Sequence, residues 1–324
     1  MLINIKRRYV VAGLAMLATT AARAAKPPHI GFISGLDLAA ASDFIAALRA
    51  GLNGYGYTEP ATLELDLLFA DYQPARVPGL VADLERRRVD VIVTHGGATV
   101  AVVKGARTIP AVYEFSADPV VSGIATDLAH PLYNATGITL LRAELNGKRL
   151  EMLRELIPSL RHVGVIANSL HAGEQLELRE ITASAAALGL AISYYATPNS
   201  VALDAALVAI AADLPQALLV LSDAFAVEHR SRITAFAMAH RLPIASGWAV
   251  MAEAGSVFTL GPRMADSYRR TAYFVDRILK GARPAELPIE QPTVLQTVIN
   301  MKSARTLGIS VAPSLLARAD EIIE

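Results

Sequence analysis

The chain has 324 residues, 53% of them hydrophobic and 19% charged, with 30 basic and 30 acidic side chains and no cysteine. This length suits two α/β domains rather than one core, and the apolar content excludes a disordered chain. The lack of cysteine excludes disulfides, thiol catalysis, cysteine metal sites and a lipid anchor on cysteine.

The first residues carry an export pattern. Lys6, Arg7 and Arg8 form a positive segment, Val10 to Thr20 an apolar one, and Ala22-Arg23-Ala24 a small-x-small cleavage site. Residues 1–24 are therefore expected to be a signal peptide, and the apolar run is too short to span a bilayer. The remaining chain holds 26 basic against 30 acidic residues, a net of −4, which argues against a nucleic-acid partner.

Strands and helices then alternate. His29–Ser34 reads as the first strand, Ser42–Tyr55 as a helix, Thr62–Phe69 as a strand and Arg76–Arg88 as a helix. Val89–Thr94 is a β-branched run of the kind buried on both faces of a parallel sheet. His95-Gly96-Gly97 turns the chain, Ala98–Ala106 has helical composition, and Ile109–Phe115 is the next strand. Asp118-Pro119 reads as a cap, predicting a helix over Val120–Leu128, followed by a strand over Ala135–Leu140.

Glu144–Leu156 is an amphipathic helix opening a second lobe, where the alternation restarts. Strands are expected over Arg161–Ala167, Leu190–Tyr195, Ala217–Leu221 and Leu242–Ala245, with helices over Gly173–Leu188, Ser200–Ala212 and Phe225–His240. Ser256–Leu260 reads as another strand, Met264–Leu279 as a helix, Pro284–Pro292 as a connector, Val294–Asn300 as a strand and Ser314–Ile323 as a last helix. Such spacing implies βαβ units and parallel sheets. The expected architecture is α/β: two Rossmann-like lobes with parallel sheets joined by a three-crossing hinge. Residues 25–140 with 247–285 are assigned to one lobe and 141–246 with 286–324 to the other.

Ligands of open α/β sheets bind outside the carboxyl ends of the strands. Small or polar residues recur there, with two aromatics beside them: Ser34; Gly97, Ala98 and Thr99; Phe115 and Ser116; then Asn168, Asp223 and Trp248. Each also suits a bland role, since such residues cap helices. The lone tryptophan suits a stacking wall or core filling equally. Glu114 stands on an otherwise apolar strand, so it is paired or faces the cleft, because an isolated buried charge is too costly. The histidines have no ligand spacing, and no cofactor is expected. His95-Gly96-Gly97 is similar to an esterase oxyanion loop but lacks the Gly-x-Ser-x-Gly elbow that chemistry needs. An exported α/β hydrolase using Glu114, Asp118 or His95 is the competing class.

Taken together, HIGFIS (29–34), VDVIVTHGG (89–97), SADPVVSGIATDLAHP (116–131), ELNGKRLEML (144–153), LVLSDAF (219–225) and PSLLARADEIIE (313–324) resemble the tryptophan/tyrosine-type family of ABC-transporter substrate-binding proteins, with the type I periplasmic binding fold. The resemblance implies a receptor without catalysis whose two lobes, joined by three crossings, close on a small-molecule ligand and hand it to an inner-membrane permease. With the export signal the protein is expected in the periplasm, as a monomer, and presentation of the ligand to a membrane sensor is the alternative role. It implies that Ser34, Gly97, Ala98, Thr99, Phe115 and Ser116 line the first wall, and Asn168, Asp223 and Trp248 the other. The resemblance fixes the class and not the ligand. An amino acid or aromatic carboxylate is expected, because the Gly96-Gly97 loop, Thr99 and Ser116 around two helix starts suit a carboxylate and Asp223 on the facing rim suits a cation. Pro131-Leu132-Tyr133-Asn134 stands where the family usually has proline, two glycines and asparagine, and His95 and Glu114 stand where it has small or apolar residues.

Overall fold

The computed structural model describes residues 26–324, so the expected signal peptide lies outside the described residues. The first lobe contains β1 (His29–Ser34), α1 (Ser42–Gly54), β2 (Glu64–Phe69), α2 (Val77–Arg87), β3 (Val91–His95), α3 (Thr99–Gly105), β4 (Ala111–Phe115), a small hairpin of β5 (Ala125–Asp127) and β6 (His130–Pro131), and β7 (Ala135–Thr139). Its sheet has the order β2-β1-β3-β4-β7, with every pairing parallel.

The second lobe follows with α4 (Leu145–Leu156), β8 (His162–Ala167), α5 (Glu174–Leu188), β9 (Ala191–Ala196), α6 (Ser200–Asp213), β10 (Ala217–Val220), α7 (Ala224–Glu228), α8 (Arg230–Ala239), β11 (Ile244–Ser246), α9 (Ala249–Ala254) and β12 (Phe258–Pro262). After α10 (Met264–Leu279) come β13 (Leu295–Asn300), α11 (Met301–Leu307), α12 (Pro313–Leu316) and β14 (Glu321–Ile323). The second sheet runs β14-β13-β12-β11-β10-β8-β9. Only the β12–β13 pairing in it is antiparallel.

Strand alternation sorts the first core into two faces. Phe32, Val91, Val93 and Val112 lie under α1 and α10 with Phe44, Leu48 and Phe274. Ile33, Ile92, Tyr113 and Phe115 lie on the opposite face with Val81 and Val102. Helix α10 belongs to this lobe: a Cβ on Gly51 of α1 would stand 2.6 Å from Arg269 O and 2.8 Å from Ala272 Cβ. The two helices meet backbone to backbone, and glycine permits it.

Three expectations need correction. The sequence assigns β12 to the first lobe, but it pairs with β11 and β13, so the chain leaves the second lobe at Pro262 rather than near Ala245. A short apolar strand reads the same whichever sheet it joins. The helix expected over Val120–Leu128 is a turn and the β5–β6 hairpin. Asp118 Oδ1 accepts from Val120 N–H (2.7 Å) and Val121 N–H (3.2 Å), and Gly123 has φ +68°, so the capped turn is not propagated. The terminal helix stops at Leu316 because Glu321–Ile323 pairs with β13.

The three crossings lie together. Arg142 Nη1 donates to Pro292 O (2.7 Å), Gln291 Nε2 to Leu141 O (2.8 Å) and Arg263 N–H to Val294 O (3.3 Å).

Candidate functional site

Each sheet has one switch point, where strand order reverses and neighbouring loops leave in opposite directions. In the first lobe it lies between β1 and β3, whose last residues are Ser34 and His95. In the second it lies between β8 and β10, followed by Asn168 and by Ser222-Asp223. The two lobes touch at this level. Asp118 N–H donates to Ala172 O across the gap at 2.8 Å, and Gly173 stands against Leu141 and Asp118. The cleft is closed.

Register builds the first wall. Ser34 pairs with His95, and His95 with Glu114, on three adjacent strands. Counting by twos, all three share the face of Phe32, Val93 and Val112. His95 Nε2 lies 2.9 Å from Ser34 Oγ, which also accepts from Leu36 N–H at 3.0 Å. The imidazole stacks against both Phe32 (5.7 Å) and Phe44 (4.5 Å), which also touch each other, with Tyr268 edge-on at 6.5 Å. Burial holds the His95 pKa down to about 4, so the ring is neutral. Glu114 is 2% exposed, and its Oε1 has no hydrogen-bond partner. Burial pushes its carboxyl up to about 8, so at neutral pH it is mostly protonated.

The other first-lobe candidates separate. Gly97 is exposed in the 3₁₀ turn Gly96–Ala98, while Ala98 and Phe115 are buried in the α2/α3 core. Thr99 is fully buried with an unpartnered Oγ1, and Ser116 is half-buried at the end of β4. Ser34 and Glu114 therefore face one side of the sheet, and Phe115 the other.

In the second lobe, Asp223 caps α7. Its Oδ1 accepts from Ala226 N–H (2.7 Å), and its Oδ2 from Asn168 Nδ2 (2.7 Å). Asn168 Oδ1 accepts from Leu170 N–H at 3.0 Å. Beneath lies a buried network in which Glu177 Oε1 accepts from Asn146 Nδ2 (3.1 Å), while Arg149 donates to Asn146 Oδ1 and, through Nε, to Leu260 O (2.9 Å). Burial lowers the Arg149 pKa to about 10, which leaves it charged at neutral pH, and raises that of Glu177. Glycine is required close by: a Cβ on Gly261 would collide with the carbonyl of Gly247, and one on Gly247 with Ser222 Oγ.

Trp248 joins the lobes. Its backbone sits between β11 and α9 of the second lobe, yet its side chain, 8% exposed, belongs to the first lobe's apolar cluster with Phe44 and Leu140, against which Tyr268 packs. Position in sequence points to Trp248 without revealing this insertion. His95 and Glu114 stand out in the sequence without entering the candidate wall set, and the strand register puts them beside Ser34. The usable signal was the period-two count that aligns positions 34, 95 and 114.

Two parallel α/β lobes, a three-strand hinge and a closed cleft between facing switch points define a periplasmic-type binding protein. The match to known proteins agrees. The chain belongs to the family of ABC transporter substrate binding proteins, which it matches over residues 31–323. No curated protein matches it by sequence. It is similar to a conserved domain protein of Vibrio cholerae at 25% identity and TM-score 0.84, over 92% of this chain and all of that one. A Streptococcus pneumoniae ABC domain solved with L-Trp shares the fold at 20% identity and TM-score 0.84, over the same 92% and all of its own length. A ligand-free, open substrate-binding protein of Clostridium difficile does so at 16% identity and TM-score 0.72, over 92% of this chain and 99% of that one. The family binds small molecules for delivery to a permease and is not enzymatic, so the hydrolase class falls away. Among the described residues there is no metal-holding cluster, and no helix is long and apolar enough to cross a membrane.

Proposed function

We propose that the protein is the periplasmic receptor of an ABC importer. Residues 1–24 export it, and it acts as a monomer. Its ligand is a small polar solute, an amino acid or aromatic carboxylate, that it hands to an inner-membrane permease. The observation that carries this reading is the facing of two switch points across a closed cleft, one ending in Ser34 and His95 and the other in Asn168 and Asp223. A receptor that encloses its solute can draw hydrogen bonds from both walls at once, and closure is the signal a permease reads. The L-Trp bound by the Streptococcus pneumoniae protein supports an amino-acid class.

The test is a thermal-shift screen of amino acids and aromatic carboxylates on the mature protein. A solute at 100 times its dissociation constant stabilises the fold by about 2.7 kcal/mol. A shift, followed by calorimetric one-to-one binding, is the expected result. A full panel without a shift would overturn the amino-acid and carboxylate assignment.

A further inference from the structure

Glu114 has no task in the closed fold. It caps no helix and makes no ion pair among the described residues, and its Oε1 lies unpartnered in the interior. Its neighbours supply no counter-charge. β3 offers neutral His95, whose Nε2 is engaged with Ser34. β7 (Ala135–Thr139) has no titratable side chain. From α10 the nearby group is Tyr268, whose own pKa is raised by burial and by Glu114. The surrounding wall is aromatic. Phe44 lies 4.5 Å from the His95 ring and 4.3 Å from Tyr268, and Trp248 enters the same cluster from the other lobe. The facing wall is also short of positive charge. Glu174, Glu177 and Asp223 are all buried there, against a single buried arginine, Arg149. Asp223 already serves Ala226 and Asn168 with its two oxygens.

An orphan carboxyl at a strand end, walled by aromatic rings, lacks one thing, a cation. A positive nitrogen would pair with Glu114 and gain from the ring faces. We propose that Glu114 receives a cationic nitrogen of the transported solute other than an α-ammonium, so that the solute carries a further ammonium, amidinium or guanidinium group held against the first lobe. This rests on the receptor reading above and deepens it, and it places the cation on the opposite wall from Asp223. The chemistry balances simply. The protonated carboxyl gives up its proton to solvent, and the carboxylate left behind pairs with the cation already carried by the solute. Binding at neutral pH then releases close to one proton.

The experiment is calorimetry on the mature protein at pH 7 in two buffers of different ionisation enthalpy. The probes are matched pairs, L-arginine with L-citrulline and L-lysine with L-norleucine, and the carboxylate-free cations agmatine and cadaverine. The expected result is at least tenfold tighter binding of a cationic member than of its neutral partner, with proton release, and a loss of tenfold or more for that cation in Glu114→Gln. Proton release is read on the unsubstituted protein, so it survives a misfolded variant. Neutral members binding as tightly as cations, unchanged affinity in a folded Glu114→Gln, cation binding without proton release, or no cation binding at all would each overturn the proposal. The two readings fail differently. Glu114-dependent binding of agmatine or cadaverine alone sinks the amino-acid class and keeps this inference, whereas norleucine or citrulline bound in preference to the cations does the reverse.

Discussion

The backbone N–H of Asp118 donates to the carbonyl of Ala172 at 2.8 Å, joining the loop after β4 of one lobe to the loop before α5 of the other. It is a peptide-to-peptide bond, independent of side chains, that exists only while the lobes are together. Hydrogen exchange therefore reads closure directly. The Asp118 amide should exchange freely in the solute-free protein in solution and gain protection on saturation with solute. Equal protection in both states would mean that the closed form is the resting form.

Gly173 sets how near the lobes come. Its φ is +113°, and a Cβ there would stand 2.8 Å from Leu141 Cδ2 and 3.4 Å from the Asp118 backbone. Gly173→Ala is expected to hold the lobes apart and to add about 1–3 kcal/mol of backbone strain. Affinity should fall roughly tenfold or more, since about 1.4 kcal/mol is a factor of ten. Small-angle scattering should show a smaller contraction on solute addition than in the unsubstituted protein.

Trp248 is the only tryptophan, so its emission reports one place. Closed, it is 8% exposed within the first lobe's apolar cluster. Opening would withdraw it into water. Solute should therefore shift the emission to shorter wavelength and reduce quenching by acrylamide. Trp248→Ala should leave the two sheets folded but lower affinity, because closure would no longer bury the ring.

Asp223→Asn tests how far that side chain is already spent. An asparagine caps α7 about as well as an aspartate. Its second atom is the difficulty. Oδ2 accepts from Asn168 Nδ2, whose own Oδ1 is held by Leu170 N–H, so the amide of a new asparagine would meet a donor. The solute-free protein should lose about 1–3 kcal/mol. An unmoved melting temperature would show that the Asn168 contact contributes nothing.

Glu114 gives a pH signature of known sign. Its pKa is raised from 4.5 to about 8 in the fold, so the native state holds a proton that the unfolded chain releases. The favourable contribution is complete below about pH 4.5 and is lost as pH rises through 8. His95 acts oppositely at the acid end. Its pKa is lowered from 6.5 to about 4, so its contribution is present above 6.5 and lost as pH falls through 4. Glu114→Gln should thus match the unsubstituted protein near pH 5 and exceed it by a few kcal/mol near pH 9, because each tenfold difference in proton affinity between fold and unfolded chain is worth about 1.36 kcal/mol. Urea titrations at the two pH values measure the difference, and parallel pH profiles for the two proteins would contradict it.

How much of this was legible depends on what each signal encodes. The apolar runs of β1, β3 and β10 identify buried parallel strands because burial on both faces confines polar residues to the strand ends. Partnership is not encoded that way, so β12 could not be assigned to a sheet from its own residues. Local chemistry misled at Asp118-Pro119, where a good cap begins a turn that Gly123 redirects. The polar strand ends were visible as a set. Their grouping by face was not, because it depends on where each strand starts. Glu114 was anomalous in sequence, and only the register beside His95 places it.

The path of the chain through α10 has a consequence for synthesis. Residues 26–141 hold every strand of the first sheet, yet Phe44, Leu48 and Leu52 of α1 find their cover in Ala272, Phe274, Val275 and Ile278. The first half to leave the ribosome is thus unfinished until Leu279 has been made, after five strands of the second sheet have emerged and β13 has not. Neither lobe can be excised as one continuous piece, and an arrested nascent chain ending before Met264 would expose the apolar side of α1 to chaperones.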